Sequence, residues 1–324
     1  VGFNSQSKSI TIDTTQGALY QAPSTYQSDW QGFGFYVTGT SHFFNFESLK
    51  KDASEPVCSF NGGQIQAKLN CVDILSGTLD WSSPYGNPTT AALLLGNQQG
   101  LIRVHKDATL KAGVTRIRGG AFEVLGGNQY FNSTFRTGDG YQHRELKYTQ
   151  YSGTVEHNGD MLLAYYSNTI SRVDFLNDSV YMQRSEKSFY SGCEATAESY
   201  VNVRDNAKVV VGQLMTAYKK SEVDGVTSDA KSEVVISDNG EMTLLGSSVI
   251  GQNTGNSRSL VKVIENGKLT AENHLNIGVY GAAGKGELIV EDNASFTAKK
   301  AFKVEHDSIF TLGGNASFTY LGIP

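Results

Sequence analysis

The segment QYFNSTFRTGDGYQHRELKY (129–148) concentrates residue types that could cleave a polysaccharide. Its candidate catalytic residues are Asp139, His143, Arg144 and Glu145, with Arg136 and Lys147 close by. Carboxylates beside basic groups can serve as acid, base or nucleophile in glycoside hydrolysis or polysaccharide lysis. A charged, solvated loop tip has the same composition. The segment lies in the longest interval between the repeat corners described below, the 51 residues from Asp107 to Asn158, and is therefore predicted to form a protruding loop or hairpin near 129–148. Whether it is catalytic stays open.

A second stretch is rich in acidic side chains, running through Glu222, Asp224, Asp229, Glu233 and Asp238. Carboxylate oxygens suit calcium, but the spacing is neither that of an EF-hand loop nor that of a GGxGxD repeat. We therefore expect no cofactor, with calcium as the alternative.

Other metal and catalytic motifs do not occur in the sequence. It contains no HExxH, G-x-S-x-G, Walker A or G-x-G-x-x-G motif. Of six scattered histidines, His105, His157 and His306 stand just before the repeat corners described below, so we expect solvated side chains rather than metal ligands.

Three cysteines are few for a disulfide scaffold of this length. Cys58 and Cys71 are the closest pair, and a disulfide between them would close a short loop in an oxidising compartment. Three buried thiols are the alternative. Cys193 lacks a CxxC partner, which argues against a zinc or redox role.

An internal repeat reveals the elements that must position these residues. The runs VVISDNGEMTL (234–244), VKVIENGKLTA (261–271) and LIVEDNASFTA (288–298) share one pattern at a spacing of 27 residues. With the Asn as origin, apolar residues recur at −5, −3, +3 and +5. The predicted repeat corners are Asp107, Asn158, Asp178, Asn206, Asn239, Asn266, Asn293 and Asn315.

Alternation on both sides of each Asn or Asp indicates two short strands joined at a bend. A type I′ hairpin is disfavoured because Ala207, Ala294 and Ala316 occupy its second central position, where positive φ is costly. A single left-handed Asn or Asp at a corner fits better. Gly251 and Gly278 recur where a further corner would need glycine. The pattern predicts an all-β chain forming a right-handed parallel β-helix or a close relative.

The repeats divide the chain into two regions. Residues 93–324 carry the β-helix repeats, whereas residues 1–92 do not show the template clearly and are rich in aromatic residues such as Trp30, Phe35 and Phe43. We expect residues 1–92 to form a mostly β cap over the open end of the solenoid. A carbohydrate-stacking platform is the alternative for these aromatic rings.

Composition excludes several classes of partner. The chain has 324 residues, a net charge of −5, and 18% charged residues. Without a basic excess we expect no nucleic-acid partner. The chain contains no apolar run approaching the roughly 18 residues that a membrane helix needs, so we expect no membrane span.

The runs LNIGVYGAAGKGELIVEDNASFTA (275–298) and LLLGNQQGLIRVHKDATLKA (93–112) resemble the repeats of bacterial autotransporter passengers and related surface β-helix proteins. The resemblance covers roughly residues 93–324 and marks a repeat style shared by many secreted proteins. It implies a pectin-lyase-like β-helix, secretion to the cell surface or beyond, and roles in adhesion or envelope structure.

Two functions follow as expectations. The first is an adhesin or extracellular structural component whose partner is another surface protein, a polysaccharide or a further copy of the chain. The second is a polysaccharide lyase or glycoside hydrolase, which fold analogy permits through the 129–148 segment.

Overall fold

The computed structural model describes the chain in parts. Within residues 1–101 it describes the backbone of the strands alone. Side chains are described over 102–117, 119–138, 145–194, 196–218, 229–252, 257–279, 285–305 and 307–322. Every helix or strand in these residues is a β-strand, as the sequence predicts.

The first thirteen strands, in chain order, are β1 (Gly2–Phe3), β2 (Ser9–Asp13), β3 (Phe35–Val37), β4 (Phe43–Glu47), β5 (Cys58–Ser59), β6 (Gly63–Ala67), β7 (Cys71–Trp81), β8 (Ala91–Leu95), β9 (Leu101–Ala112), β10 (Val114–Ile117), β11 (Gly120–Phe131), β12 (Phe135–Thr137) and β13 (Arg144–His157). The next nine are β14 (Met161–Leu163), β15 (Thr169–Phe175), β16 (Val180–Gln183), β17 (Ser188–Ser191), β18 (Glu198–Val203), β19 (Lys208–Val211), β20 (Gln213–Thr216), β21 (Lys231–Ile236) and β22 (Glu241–Leu244). The last nine are β23 (Ser248–Ile250), β24 (Arg258–Val263), β25 (Lys268–Ala271), β26 (Leu275–Ile277), β27 (Lys285–Val290), β28 (Ser295–Ala298), β29 (Phe302–Val304), β30 (Ile309–Leu312) and β31 (Ser317–Tyr320).

These strands form three rows of parallel pairings. The first row runs β2-β4-β7-β9-β11-β13-β15-β18-β21-β24-β27-β30. The second runs β5-β7-β9-β11-β13-β16-β19-β22-β25-β28-β31. The third is a sheet of order β1-β3-β6-β8-β10-β12-β14-β17-β20-β23-β26-β29. Since each coil gives one segment to each row, the chain is a parallel β-solenoid.

The sequence template correctly identifies the core. At Asn206 its four apolar positions, Val201, Val203, Val209 and Val211, are all fully buried. Alternation places one face of each strand inward, where each buried side chain of this size stabilises the fold by roughly 1.5–3 kcal/mol.

The first corner, between the first and second rows, corrects one detail of the prediction. The left-handed residue is the one before the predicted Asn: φ is 61° at Asp205, 54° at Asp238, 60° at Glu265 and 61° at Asp292. Period-two alternation fixes the inward face on each side of a bend, but it does not specify which of two successive bend residues turns left-handed. A side-chain bond to the preceding coil, described below, compensates the cost of that conformation for these carboxylate residues.

Asn158 requires a correction, because it lies at a different bend. The strand β13 passes through the first corner at 151–153, where Gly153 has a φ of 83°. Asn158 follows β13 at the second corner, between the second and third rows, beside Asn132 of the preceding coil. Both bends are flanked by alternating apolar residues, so the template fits either one.

The predicted protruding loop near 129–148 is also wrong for most of its length. Residues 129–131 end β11, residues 135–137 form β12 and residues 144–148 begin β13, all paired with neighbouring coils. Phe131 and Phe135 are buried in the core. Only the stretch 139–143 of this segment lies outside the described residues.

The division at residue 92 stays a prediction. The first and third rows nevertheless run across this position without interruption, since β6 pairs with β8 and β4 with β7, which in turn pairs with β9.

The third corner, between the third row and the first, is lined by buried hydroxyls. Ser199, Ser232 and Ser259 stack at the same inward position of successive coils. Ser191 Oγ lies 2.8 Å from Ser199 Oγ and 2.7 Å from Ser232 Oγ, and Thr216 bonds Ser259 in the same manner. Gly251 and Gly278 occupy this corner with φ values of 82° and 77°, as the sequence predicts.

Candidate functional site

Of the four predicted catalytic residues, the structure describes the side chain of Glu145 alone, so their grouping stays a prediction. Asp139 and His143 lie outside the described residues, and Arg144 is described by its backbone alone at the start of β13. The carboxylate of Glu145 accepts a hydrogen bond from Arg172 Nε at 2.6 Å, on the exposed face of the first row. Glu145 therefore takes part in an ion pair between coils.

The two flanking basic residues of that segment point to different rows. Lys147 lies on the first row, with its Nζ 4.0 Å from Glu145 Oε1. Arg136 lies on the third row, with its guanidinium 4.6 Å from the ring centroid of Tyr165. Residues that are close in sequence are thus separated because the chain turns through a corner between them.

The outer face of the first row carries a charge and aromatic network centred on Tyr200. The Arg172 guanidinium lies 4.7 Å and the Lys231 ammonium 5.0 Å from the centroid of its ring. Lys231 Nζ donates to the Tyr200 hydroxyl at 2.8 Å, which in turn donates to Glu198 Oε2 at 2.5 Å. The hydrogen bond to Tyr200 raises the pKa of Lys231. The network joins three successive coils.

Sequence reasoning missed this network because its members are 28 and 31 residues apart. Their relation becomes visible only when the pairings of Arg172 with Tyr200 and of Glu198 with Lys231 are known. The signal that could have found them is a coil-length spacing between aromatic and basic residues.

A column of carboxylates, which we call the acid column, runs along the first corner and consists of Asp205, Asp238, Glu265 and Asp292. Each of these carboxylates accepts a hydrogen bond from the backbone N–H of the equivalent residue in the preceding coil. The bond from Asp238 N to Glu265 Oε2 is 2.7 Å long. These bonds replace part of the lost hydration and tie the corners together.

Six of the eight predicted corner residues form a second column beside the acid column, in which one carboxylate (Asp178) is followed by five amides (Asn206, Asn239, Asn266, Asn293 and Asn315). Asn206 Nδ2 donates to Asp178 Oδ1 at 3.2 Å, and Asn239 Nδ2 donates to Asn206 Oδ1 at 3.2 Å. Asn315 Nδ2 donates to Asn293 Oδ1 at 3.4 Å. Asn266 lies in the same register one coil after Asn239. Asp107 lies within β9, where the pairing with β11 is irregular.

The acidic stretch singled out for calcium is dispersed. Glu222 and Asp224 lie outside the described residues, while Glu233 faces outward from the first row and Asp238 belongs to the acid column. In the parts of the chain that the structure describes, no three His, Cys, Asp or Glu side chains are placed to share a metal ion. The expectation of no cofactor, with calcium as the alternative, stays a prediction.

His157 corrects the expectation that histidines before corners are solvated. It points into the core and is only 1% exposed, between Phe131 and Tyr181. Burial lowers its pKa to about 4. The same alternation that directs Val155 inward also directs His157 inward, two residues later.

The cysteines show no exposed reactive thiol in the described residues. Cys193 is a free thiol with no exposed area, and burial raises its pKa. Cys58 lies opposite Leu79 in β7, and Cys71 lies opposite Phe43 and Leu101. The side chains of Cys58 and Cys71 are outside the described part, and their disulfide stays a prediction.

The last described coil leaves core positions open. Leu312 and Tyr320 take the inward register of Val290 and Ala298, yet they are 48% and 56% exposed. Val304, in the register of Ile277, is also exposed. The rings of Phe302, Phe310 and Phe318 pack on Phe296 and are partly buried. This face has the apolar pattern of the solenoid interior.

Comparisons with protein-family models, with curated proteins and with solved structures found no match. A search of the described residues for a helix of the length and hydropathy needed to cross a membrane also found none.

Proposed function

We propose that this chain is a secreted or cell-surface protein, bacterial in origin, that acts as an adhesin or extracellular structural component. Its solenoid is a right-handed parallel β-helix, since crossover connections between parallel strands are nearly always right-handed. The likeness of its repeats to autotransporter passengers supports the same proposal.

The observation that carries this proposal is the way outer side chains bond from coil to coil. Besides the acid column and the Tyr200 network, Lys268 Nζ lies 2.8 Å from Glu241 Oε1, and Lys299 Nζ lies 2.8 Å from Glu272 Oε1. Such repeated bonds, added to three rows of strand pairing, favour a stiff rod with a regular surface. A rod of this kind suits adhesion to an extended polymer or to another surface.

Self-association through the last coil forms the second part of the proposal. A further coil from another copy would bury Leu312 and Tyr320 and pair the edges of β29, β30 and β31. Light scattering over a concentration series, with electron microscopy, tests this part. We expect Leu312→Lys to abolish the assembly and Thr311→Lys, which changes an outward position of the same strand, to retain it. A strict monomer at every concentration would remove self-association and leave adhesion.

The function itself is tested by incubating the protein with neutral and acidic polysaccharides, followed by size-exclusion chromatography of both sugar and protein. We expect intact sugar chains that co-elute with the protein, as an adhesin would give. Intact chains without co-elution would leave the structural role. Shortened sugar chains would contradict the proposal and favour the lyase or hydrolase alternative, in which case alanine at Asp139, His143 and Arg144 should abolish cleavage.

A further inference from the structure

Two columns of opposite charge lie on the two edges of the first row. At the start of β21, β24 and β27, three basic residues stand directly opposite one another: Lys231, Arg258 and Lys285. We call them the basic column, and all three are exposed. In the same three coils, the first corner carries the exposed carboxylates Asp238, Glu265 and Asp292 of the acid column.

Like charges in direct register are destabilising, so the basic column needs an explanation. Elsewhere on the surface, opposite charges meet between coils, as in Lys268 and Glu241. Within the described ranges, such partners occur at the two ends of the basic column: Lys231 Nζ lies 3.9 Å from Glu198 Oε2, and Lys285 Nζ lies 3.5 Å from Asp307 Oδ2. Among the described residues, the central Arg258 guanidinium has no carboxylate within ion-pair distance.

The two columns have matched geometry. In each of the three coils the basic residue precedes the acidic one by seven positions, as in Arg258 and Glu265. At roughly 3.3 Å per residue, the strand between them holds the columns about 23 Å apart, on opposite edges. Both columns repeat at the spacing of paired strands, about 4.8 Å. The basic edge of one solenoid therefore complements the acidic edge of another, coil for coil.

We propose that copies of this chain associate side by side, with the basic column of one against the acid column of the next at the same height. Lys231 then meets Asp238 of the second copy, Arg258 meets Glu265, and Lys285 meets Asp292. Because the basic edge of one copy contacts the acidic edge of the next, the contact is heterologous. Each copy therefore keeps one edge of each charge with which it can bind a further copy. The proposal goes beyond the stacking of the last coil, since it uses the side of the solenoid.

Exposed ion pairs are individually weak and are screened by salt, so the association is weak in dilute solution. It becomes effective where copies are crowded, as on a surface that bears many of them. Its signature is therefore an attraction that salt removes, which distinguishes it from the apolar stacking of the last coil.

Static light scattering of the full chain at roughly 10 mM and 1 M ionic strength, where the Debye length is about 30 Å and 3 Å, tests the proposal. The wild type should show a negative second virial coefficient at low salt that turns positive at high salt. Arg258→Glu places acid against acid and should weaken the association about tenfold. Lys208→Glu is the control: it changes the net charge by the same amount as Arg258→Glu, at an exposed position of the second row. This variant should keep the attraction of the wild type.

Exchanging the charges provides the decisive comparison. The double variant Arg258→Glu/Glu265→Arg should regain the attraction that each single variant weakens. Thermal unfolding shows whether the double variant is folded. If Glu265→Arg unfolds the chain, Lys231→Glu/Asp238→Lys makes the same exchange in the neighbouring coil. Leu312→Lys should keep the salt-sensitive attraction, even though it abolishes end stacking. An attraction unchanged by Arg258→Glu, or a folded double variant without recovery, would overturn the proposal.

Discussion

His157 Nδ1 lies 2.7 Å from the hydroxyl oxygen of Tyr181 inside the solenoid core. The other ring nitrogen, Nε2, lies 2.9 Å from the carbonyl oxygen of Ser133. Because a carbonyl can only accept, Nε2 carries the proton, and Nδ1 accepts from Tyr181. The imidazole is thus held in its neutral form with both nitrogens bonded.

This arrangement predicts that the protein loses stability in mild acid. Burial lowers the pKa of His157 to about 4, against about 6.5 in the unfolded chain. Between these values the unfolded state binds more protons, so the stability present above pH 6.5 falls as the pH drops. The expected loss from this residue between pH 7.5 and 4.5 is about 2.5 kcal/mol. Urea unfolding at several pH values measures it.

The matched control for this prediction is His157→Gln, which removes the titrating group. Its free energy of unfolding should be lower than that of the wild type at pH 7.5, because the bond to Tyr181 is altered. The difference in free energy of unfolding between the wild type and His157→Gln should become smaller or change sign as the pH falls to 4.5. Parallel pH profiles for the two proteins would show that His157 is not responsible.

Substitutions on the inward and outward faces of the strands should differ sharply in their effect on stability. Val203→Asp and Leu269→Asp each bury a carboxylate without a partner, and we expect each to lower the free energy of unfolding by at least roughly 3 kcal/mol. Lys262→Asp changes an outward position of β24 and should cost about 0.5 kcal/mol or less. Chemical denaturation compares the three. Equal effects would mean that the inward face is misassigned.

Replacing Gly286 by serine should destabilise the fold, although serine occupies the equivalent position in neighbouring coils. It takes the register position of Ser199, Ser232 and Ser259, so the repeat pattern alone favours serine there. A Cβ on Gly286 would lie 2.1 Å from the carbonyl oxygen of Ile250. We therefore expect Gly286→Ser to destabilise the fold by roughly 1–3 kcal/mol, as overpacking does.

Ser259→Ala gives the comparison for Gly286, since it only removes a hydroxyl that bonds Thr216 in the adjacent coil. Its expected cost is about 1 kcal/mol. Thermal unfolding should place Gly286→Ser below both the wild type and Ser259→Ala. A gain in stability for Gly286→Ser would contradict the close backbone approach.

The core of this solenoid follows from its sequence because period-two alternation assigns each residue to a face. Val201 and Leu269 were predictable on that ground. Asn158 was not, because two coils between Asp107 and Asp178 turn the first corner without an Asn or Asp as marker. One turns near Gly126 and the other near Gly153. Without those markers, the interval could not be divided into coils.

The surface relationships depend on register between coils, which spacing alone leaves undetermined where loops vary in length. Arg172 and Tyr200 are recognisable as neighbours only once β15 is paired with β18. Lys231 and Arg258, in contrast, keep the 27-residue spacing of the repeat, and the pairing of β21 with β24 agrees with it. The predicted site near Asp139 stays a prediction. Its flanking residues Arg136 and Lys147 lie on different rows, because the chain turns through a corner between them.

The stacking of coils in a fixed register is the central claim, and disulfide trapping tests it most directly. Glu241 and Lys268 are directly paired in adjacent coils, so the double variant Glu241→Cys/Lys268→Cys should form a disulfide on mild oxidation. Glu241→Cys/Ser295→Cys places the thiols two coils apart, about 9–10 Å, beyond disulfide reach. Peptide mapping by mass spectrometry should find the first bridge and not the second. Failure of the first bridge, or equal bridging in both variants, would contradict the account.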